Sequence, residues 1–262
     1  MEIAVAPPPA DPTLVDEAVA LAKAAGALTL RWFGSADLEV ETKGDSTPVT
    51  AADRAAEAHV RAHLAEAHPD DGVLGEEEAE RVGTSGRRWI VDPIDGTKAF
   101  VRGIPLYTTL LAVEDEHGIA VGVIHVPALD RTVFAGRGLG CVADGQTCRV
   151  SAAGTLDGAV VTTSSWEHWP EPALLGLRRS GAAMKGWGDG YGYLLVATGA
   201  VDAMVDPAAA PYDLAPMPVI ITEAGGLFSD WSGATGIDGG NAVATNGAIH
   251  ADLRTLLTTE PE

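Results

Sequence analysis

"RWIVDPIDGTKAF", Arg88 to Phe100, is the stretch on which the reading of this chain turns. Trp89, Ile90 and Val91 read as a buried strand, and the run ends in two carboxylates, Asp92 and Asp95, on either side of Pro93. Both then point into the space beyond the strand's carboxyl end, where ligands of open α/β sheets bind. Carboxylates held this close raise one another's pKa unless a cation is shared between them. Oxygen-only ligands suit a hard ion such as Mg2+, which prefers a few carboxylates plus water and phosphate oxygens. Gly96 and Thr97 open a turn or a helix whose N–H groups face an anion. Acids for a metal beside amides for a phosphate are what metal-assisted hydrolysis of a phosphate ester requires. Two other readings compete. Asp-Pro and Asp-Gly are common turn formers, so the acids can be simple caps. A phospho-aspartate strand end has the form DxDxT, and the spacing Asp-x-x-Asp-Gly-Thr is one residue too long for it, which favours water as the nucleophile.

The composition narrows the field around this motif. A chain of 262 residues with 46% hydrophobic content builds one large domain or two closely packed halves. Its formal net charge of −20 argues against a nucleic-acid or anionic-membrane partner and sits better with divalent cations or a cationic substrate. Most of these acids read simply as a soluble surface. Cys141 and Cys148 form no CxxC pair and fit a reducing compartment. "MEIAVAPPPADP" lacks a basic leader and is broken by prolines, so a cytoplasmic enzyme is expected, with no membrane span.

On the N-terminal side, "TLVDEAVALAKAAGALTLRWFG" has helical spacing at Leu14, Ala18, Leu21, Ala25 and Leu28 and predicts a helix ending at Gly34. "KGDSTPV" reads as a loop. A second helix is predicted from Thr50, where Thr50-x-x-Asp53 resembles a capping box. On the C-terminal side, "YTTLLAVE" and "IAVGVIHV" predict paired strands, and "TVFAG" and "GAVVTTS" further strands. "YGYLLVATGAVDAMVD" predicts a helix then a strand. "DLAPMPVIITEAGG" predicts one helix with its prolines in the first turn, where a missing N–H costs little. "NAVATN" and "AIHADLRTLL" predict a closing strand and helix. The alternation indicates a layered α/β protein.

Other acids stand near this framework. "GEEEAE" places Glu76 and Glu77 after a short apolar strand, while Glu78 and Glu80 read as the solvated start of a helix. "PYDLAP" places Asp213 at the start of the late helix.

"GEE", then "WIVDPIDGTKAFVRGIP", then "PYDLAPMPVIITEAGG" resemble, in that order, the inositol monophosphatase superfamily of Mg2+-dependent, lithium-sensitive phosphatases, over nearly the whole chain. The resemblance implies a five-layered αβαβα sandwich. It implies a single catalytic domain, residues 1–262, of two packed halves: about 1–150 for metal and phosphate, about 151–262 for substrate recognition. It further implies two or three Mg2+ ions per site and a homodimer. Position by position, Glu76, Asp92 and the backbone carbonyl of Ile94 would hold a first metal, and Asp92, Asp95 and Asp213 a second. Glu76 and Thr97 would orient a metal-activated water for in-line attack. Asp53 would accept a hydrogen bond from the Thr97 hydroxyl, and the amides of Gly96 and Thr97 would bind phosphate oxygens. Lys43 matches a family lysine only roughly and is left outside the site.

The leaving alcohol is addressed by what the C-terminal half lacks. Gly186 to Leu253 contains no lysine or arginine. The second dianion of a bisphosphate is ordinarily met by such residues. Fructose 1,6-bisphosphate and 3′-phosphoadenosine 5′-phosphate therefore rank below monophosphates. By the resemblance, Asp206 matches the position that contacts the non-phosphate part of the substrate and Asp189 faces the pocket, with Trp187 adding an aromatic face. The plainer readings are a helix N-cap for Asp189 and core for Trp187. Two acids and an indole suit a cationic organic group. L-Histidinol phosphate fits that recess better than neutral inositol does. "DGTKAFVRGIPLY" and "GDGYGYLLVATGAVD" also resemble the histidinol-phosphate phosphatase branch. The expectation is a Mg2+-dependent phosphomonoesterase converting L-histidinol phosphate to L-histidinol and phosphate, a step of histidine biosynthesis. The alternatives are an inositol-1-monophosphatase or broad monophosphatase, then the bisphosphate enzymes, and last a catalytically silent metal-binding regulator.

Several signals are set aside. His59 and His63 are four residues apart on a helix but lack the glutamate of HExxH, and read as a solvated face. "GRGLG" falls short of GxGxxG and reads as a turn between strands. His125, His168 and His250 are isolated, and Ser164-Ser165 has no glycine elbow.

Overall fold

The computed structural model describes residues 6–35, 40–42 and 48–258. Lys43 and most of the "KGDSTPV" segment lie outside the described residues. Helices α1 (Pro12–Thr29) and α2 (Ala51–Ala67) are separated by a small hairpin, β1 (Val40–Thr42) and β2 (Pro48–Thr50). One sheet then takes β3 (Gly72–Gly75), β4 (Arg88–Asp95), β5 (Thr108–Asp115), β6 (Gly118–Val126), β7 (Arg131–Gly136), β8 (Gly140–Ala143) and β9 (Gln146–Thr147), in that order across it. Helix α3 (Thr97–Phe100) follows β4 directly. A second sheet is ordered β11 (Ala183–Lys185), β10 (Val160–Thr163), β12 (Ala203–Asp206), β14 (Ala242–Thr245), β13 (Leu227–Ser229). Around it lie α4 (Glu171–Arg179), α5 (Asp189–Ala197), α6 (Pro211–Leu214), α7 (Met217–Glu223) and α8 (His250–Thr258).

Strand alternation explains how these elements stack. Side chains of successive strand residues face opposite sides of a sheet. Trp89, Val91, Leu111, Val113, Val121 and Val123 pack on one side against Val15, Ala18, Leu21 and Ala22 of α1 and Ala56, Val60 and Leu64 of α2. Ile90, Leu110, Ala112 and Ile124 face the other side, against Tyr193 and Leu194 of α5 and Met217, Ile220 and Ile221 of α7. Met204 and Ala244 of the second sheet close that same core. Val161, Ala203, Val205 and Val243 look outward onto Ala173 and Leu177 of α4 and Leu253 and Leu257 of α8. The layers are thus helix, sheet, helix, sheet, helix, the αβαβα sandwich that the resemblance implies. No helix among the described residues is long and apolar enough to cross a membrane.

The capping box at Thr50 forms as predicted, and several expectations are corrected. The first helix stops at Thr29 rather than Gly34, because the Thr29 hydroxyl donates to the Gly26 carbonyl and meets the Tyr107 hydroxyl at 2.8 Å. Phe33 leaves the helix to pack against Phe100 and Tyr107. The "DLAPMPVIITEAGG" helix is two helices, α6 and α7. Pro216 has no N–H and its ring crowds the carbonyl four residues back, so the chain restarts at Met217 with Pro218 in the new first turn. Glu78 and Glu80 start no helix: Glu78 lies in a bend after β3 and Glu80 in irregular chain beyond it. In the first sheet β3 and β4 run parallel and the other neighbouring strands are antiparallel. The strand expected to end at Val91 runs on to Asp95, with its register against β5 shifting between Asp92 and Asp95. Pro93 falls in that irregularity, where the missing N–H is tolerated.

Candidate active site

The parallel pairing of β3 with β4 sets the site. Gly75 lies opposite Val91, so the next residues of the two strands, Glu76 and Asp92, emerge side by side at the carboxyl ends. The shifted register then places Asp95 with Asp92 against Asp213, which enters from the start of α6. Carboxylate oxygens of these three lie within 4.8 Å of one another. The Asp213 carboxylate also caps its own helix, accepting the Ala210 amide at 2.7 Å, so the capping reading and the site reading hold together.

Each acid is oriented by neutral donors. Asp92 Oδ1 accepts the Ile94 amide at 3.1 Å. Asp95 Oδ2 accepts the Thr108 hydroxyl and the Gly190 amide, each at 2.5 Å. Gly96 adopts φ +79, a left-handed conformation that suits glycine, and turns the chain into α3. A Cβ at Gly96 would also lie 2.8 Å from Asp189 Oδ2, so Asp189 sits on the turn whose amides face the cleft. Asp189 starts α5 at φ +55, its amide donating to Ser164 Oγ at 2.7 Å. Ser164 in turn donates to Asp206 Oδ1 at 2.5 Å, and the Tyr193 hydroxyl donates to Asp206 Oδ2 at 2.7 Å.

The electrostatics are those of crowded, buried acids. Burial and the neighbouring carboxylates of Glu76, Asp95 and Asp213 push the Asp92 pKa well up. Burial, then Asp189 and Asp213, do the same to Asp95. Asp213 is pushed up to about 7, chiefly by burial, with Glu76 and Asp206 adding to it. Burial, then the charge of Asp206, lift Asp189 to about 6, with Ser164 and Lys98 opposing. Carboxylates gathered this closely favour a shared proton or cation. Asp53, in the first turn of α2, is fully buried; its Oδ2 accepts the Thr50 amide and hydroxyl, and its Oδ1 has no hydrogen-bond partner among the described residues. An oxygen-only donor set under mutual repulsion fits a hard divalent cation.

Glu76, Asp92, Ile94, Asp95, Gly96, Thr97, Asp189, Asp206 and Asp213 all line one cleft of about 400 Å³. Two expected features differ. The Thr97 hydroxyl donates to the Ile94 carbonyl at 3.0 Å, so the implied Asp53–Thr97 bond is not made. Trp187 does not line the cleft; its ring is 42% exposed, Lys185 lies 5.9 Å from it, and its amide is held by Thr162. Lys98 lines the cleft, as do Ser164, Ser165, Glu167 and His168, which were not placed there from the sequence. No local pattern marks Ser164 or Thr108. Their roles depend on contacts with residues far along the chain. Of the histidines set aside, His63 pairs with Glu17 of α1 at 2.8 Å on the outer face, as a helix–helix contact.

Against known proteins, the model of the inositol monophosphatase family matches residues 11–260. The histidinol-phosphatase of Mycobacterium tuberculosis is 43% identical over 249 residues, covering 92% of this chain and 96% of that one. The histidinol-phosphatase of Chlorobaculum parvum is 41% identical over 241 residues, covering 90% and 93%. Among solved structures, the extragenic suppressor protein suhB of Bartonella henselae superimposes with a TM-score of 0.87 at 30% identity, over 95% of this chain and 100% of that one. The layered fold, the acids gathered at the ends of β3 and β4, and the family model spanning nearly the full length agree: this chain belongs to the inositol monophosphatase family.

Proposed function

We propose that this chain is a Mg2+-dependent phosphomonoesterase that hydrolyses L-histidinol phosphate to L-histidinol and phosphate. Asp92, Asp95 and Asp213, with Glu76 and the Ile94 carbonyl oxygen, would hold the two or three Mg2+ ions that the reading requires. Mg2+ bound there neutralises phosphate charge and acidifies water, the two needs of a phosphoryl transfer to solvent. The amides of Gly96 and Thr97 bind phosphate oxygens. Glu76 and the Thr97 hydroxyl orient the attacking water and hold its proton, and Asp53 Oδ1 is the acceptor that fixes the hydroxyl once it leaves the Ile94 carbonyl.

One observation carries the choice of ester: the Asp189 carboxylate lies against Gly96, beside the amides assigned to phosphate. An acid in that position repels a phosphate unless a cation comes with it. Lys98 is the one lysine or arginine among the described residues lining the cleft. A substrate whose ammonium group sits two carbons from the ester oxygen brings the missing charge to Asp189, with Asp206 behind it. The two histidinol-phosphatase relatives support the same choice. A homodimer acting in the cytoplasm completes the proposal.

The test is phosphate release from a panel of esters with Mg2+ and with EDTA. Histidinol phosphate is expected to show a much higher kcat/KM than inositol 1-phosphate, and EDTA to abolish both. The reverse order of substrates overturns the assignment. Metal binding without turnover on any monophosphate would point to the silent relative instead.

A further inference from the structure

Glu57 lies one helical turn beyond Asp53 on α2, its side chain fully buried, and it binds the segment that carries Glu76. Oε2 accepts the Glu77 amide at 2.8 Å, and Oε1 accepts the Glu78 amide at 3.1 Å. Arg61, a turn farther along α2, donates to Oε1 at 2.8 Å and balances the buried charge. The carboxylate also rests on Gly75, where a Cβ would come within 2.1 Å of Oε1. Residues on both sides of Glu76 are therefore fitted to one buried group. Glu57 is not among the residues lining the cleft, so it acts at a remove from any substrate.

We propose that Glu57 is a positioning residue, fixing the direction in which Glu76 projects beside Asp92. The argument is local. β3 ends at Gly75, and residues 76–78 form a bend beyond the strand. Glu76 emerges beside Asp92 in a cleft that also holds Asp95 and Asp213, so like charge pushes it away from the cluster it must join. Two amides bound to a buried carboxylate resist that push, and Glu76 lines the cleft with Asp92 and Asp213. A group that only filled space between α2 and β3 would not need to bind the two consecutive amides that follow one acid.

This inference rests on the metal-site reading above, and the experiment separates the two. In the full-length chain, Glu57→Gln keeps the volume but turns an NH2 group toward one of the amides. Val60→Ala, on the same helix and buried among apolar groups, supplies ordinary destabilisation. Glu57→Gln is expected to weaken Mg2+ binding, measured by calorimetry without substrate, about tenfold, and to lower kcat about ten- to a hundredfold with the ester KM nearly unchanged. Val60→Ala is expected to lose Tm but keep Mg2+ affinity and kcat. Glu57→Asp, shorter by one methylene, is measured in the same way and decides the matter if Glu57→Gln does not fold. Wild-type Mg2+ affinity and kcat in the folded Glu57 variants, or equal losses in Val60→Ala, overturn the proposal. A wild-type chain that binds Mg2+ yet cleaves no ester overturns the phosphatase reading alone, since the calorimetric comparison still stands.

Discussion

Asp95 accepts the backbone amide of Gly190 at 2.5 Å, a bond that joins the end of β4 to the first turn of α5 across 95 residues of chain. Thr108 donates to the same oxygen, Oδ2, so Oδ1 is the one left to a cation. An acid proposed as a metal ligand is thus held by the same helix start that carries Asp189. On the proposed reading, the sides of the cleft that take phosphate and alcohol are oriented through one carboxylate.

Thr108→Val tests this arrangement with almost no change of volume. It leaves a buried carboxylate short of one donor, at a cost of about 1–2 kcal/mol of stability. Turnover is expected to fall about tenfold, because Asp95 gains freedom to rotate. Thermal melts and phosphate-release assays read the two effects separately. Unchanged kcat in a destabilised variant would mean that Gly190 alone sets the carboxylate.

Asp95→Asn and Asp213→Asn are each expected to abolish turnover while the fold persists. Repulsion among the buried acids is relieved by the change, so the metal-free variants should melt no lower than the wild type. Mg2+ at about 100 times its Kd stabilises a binding-competent chain by about 2.7 kcal/mol. For a chain of this size that is a rise of several degrees in Tm. The wild type should show the rise and both variants should lose it. Scanning calorimetry with EDTA and with Mg2+ checks the point, and a retained rise in both variants would remove the metal assignment.

Much of this was legible because it depended on local pattern. The apolar run Trp89–Val91, the Thr50–Asp53 box and the acids of three ordered segments all survive in the structure, and each is a relation between residues close in sequence. What escaped depends on distance or on competition. Glu57 is 20 residues from Glu77, although its place four residues after Asp53, on the buried face of α2, was a hint available in the helical spacing. Thr108 and Ser164 show nothing unusual until Asp95 and Asp206 arrive beside them. Trp187 misled because proximity to Asp189 in sequence was taken for proximity to the cleft, whereas its backbone is bonded to Thr162 and its side chain does not line the cleft. The late helix broke because two prolines cost more than the apolar periodicity returned.

Asp189→Asn addresses substrate choice. Replacing the charge removes a charge-assisted contact with an ammonium group while keeping the hydrogen-bonded backbone of α5. A fall in kcat/KM of about ten- to a hundredfold is expected for histidinol phosphate. An ester with no amine, such as glycerol phosphate, should be cleaved as well as before or faster, since a charge repelling phosphate has gone. Equal losses on both esters would show that Asp189 supports the Gly96 turn and does not read the alcohol.

Asp71 offers a prediction about stability that is independent of the chemistry. It is 2% exposed and gathers Arg87 Nε at 2.6 Å, Ser85 Oγ at 2.7 Å and Trp89 Nε1 at 2.9 Å. Burial alone would raise its pKa, but these donors and the Arg87 charge outweigh it and hold the carboxyl below its usual range. A folded-state pKa below the unfolded value of about 3.9 means that the ionised form favours folding. That stability is complete above about pH 5 and is lost as pH falls through the folded value. Asp71→Asn should therefore cost about 2 kcal/mol at pH 7, with the gap to wild type closing below about pH 4. Urea unfolding of both chains at pH 7 and pH 3 measures it, and a gap independent of pH would assign the cost to shape rather than charge. Because β3 and β4 run parallel, Asp71 and Trp89 lie at the opposite strand ends from Glu76 and Asp92. Turnover at pH 7 and at a temperature well below the melting point should be that of the wild type, which separates what holds the first sheet together from what the sheet delivers to the cleft.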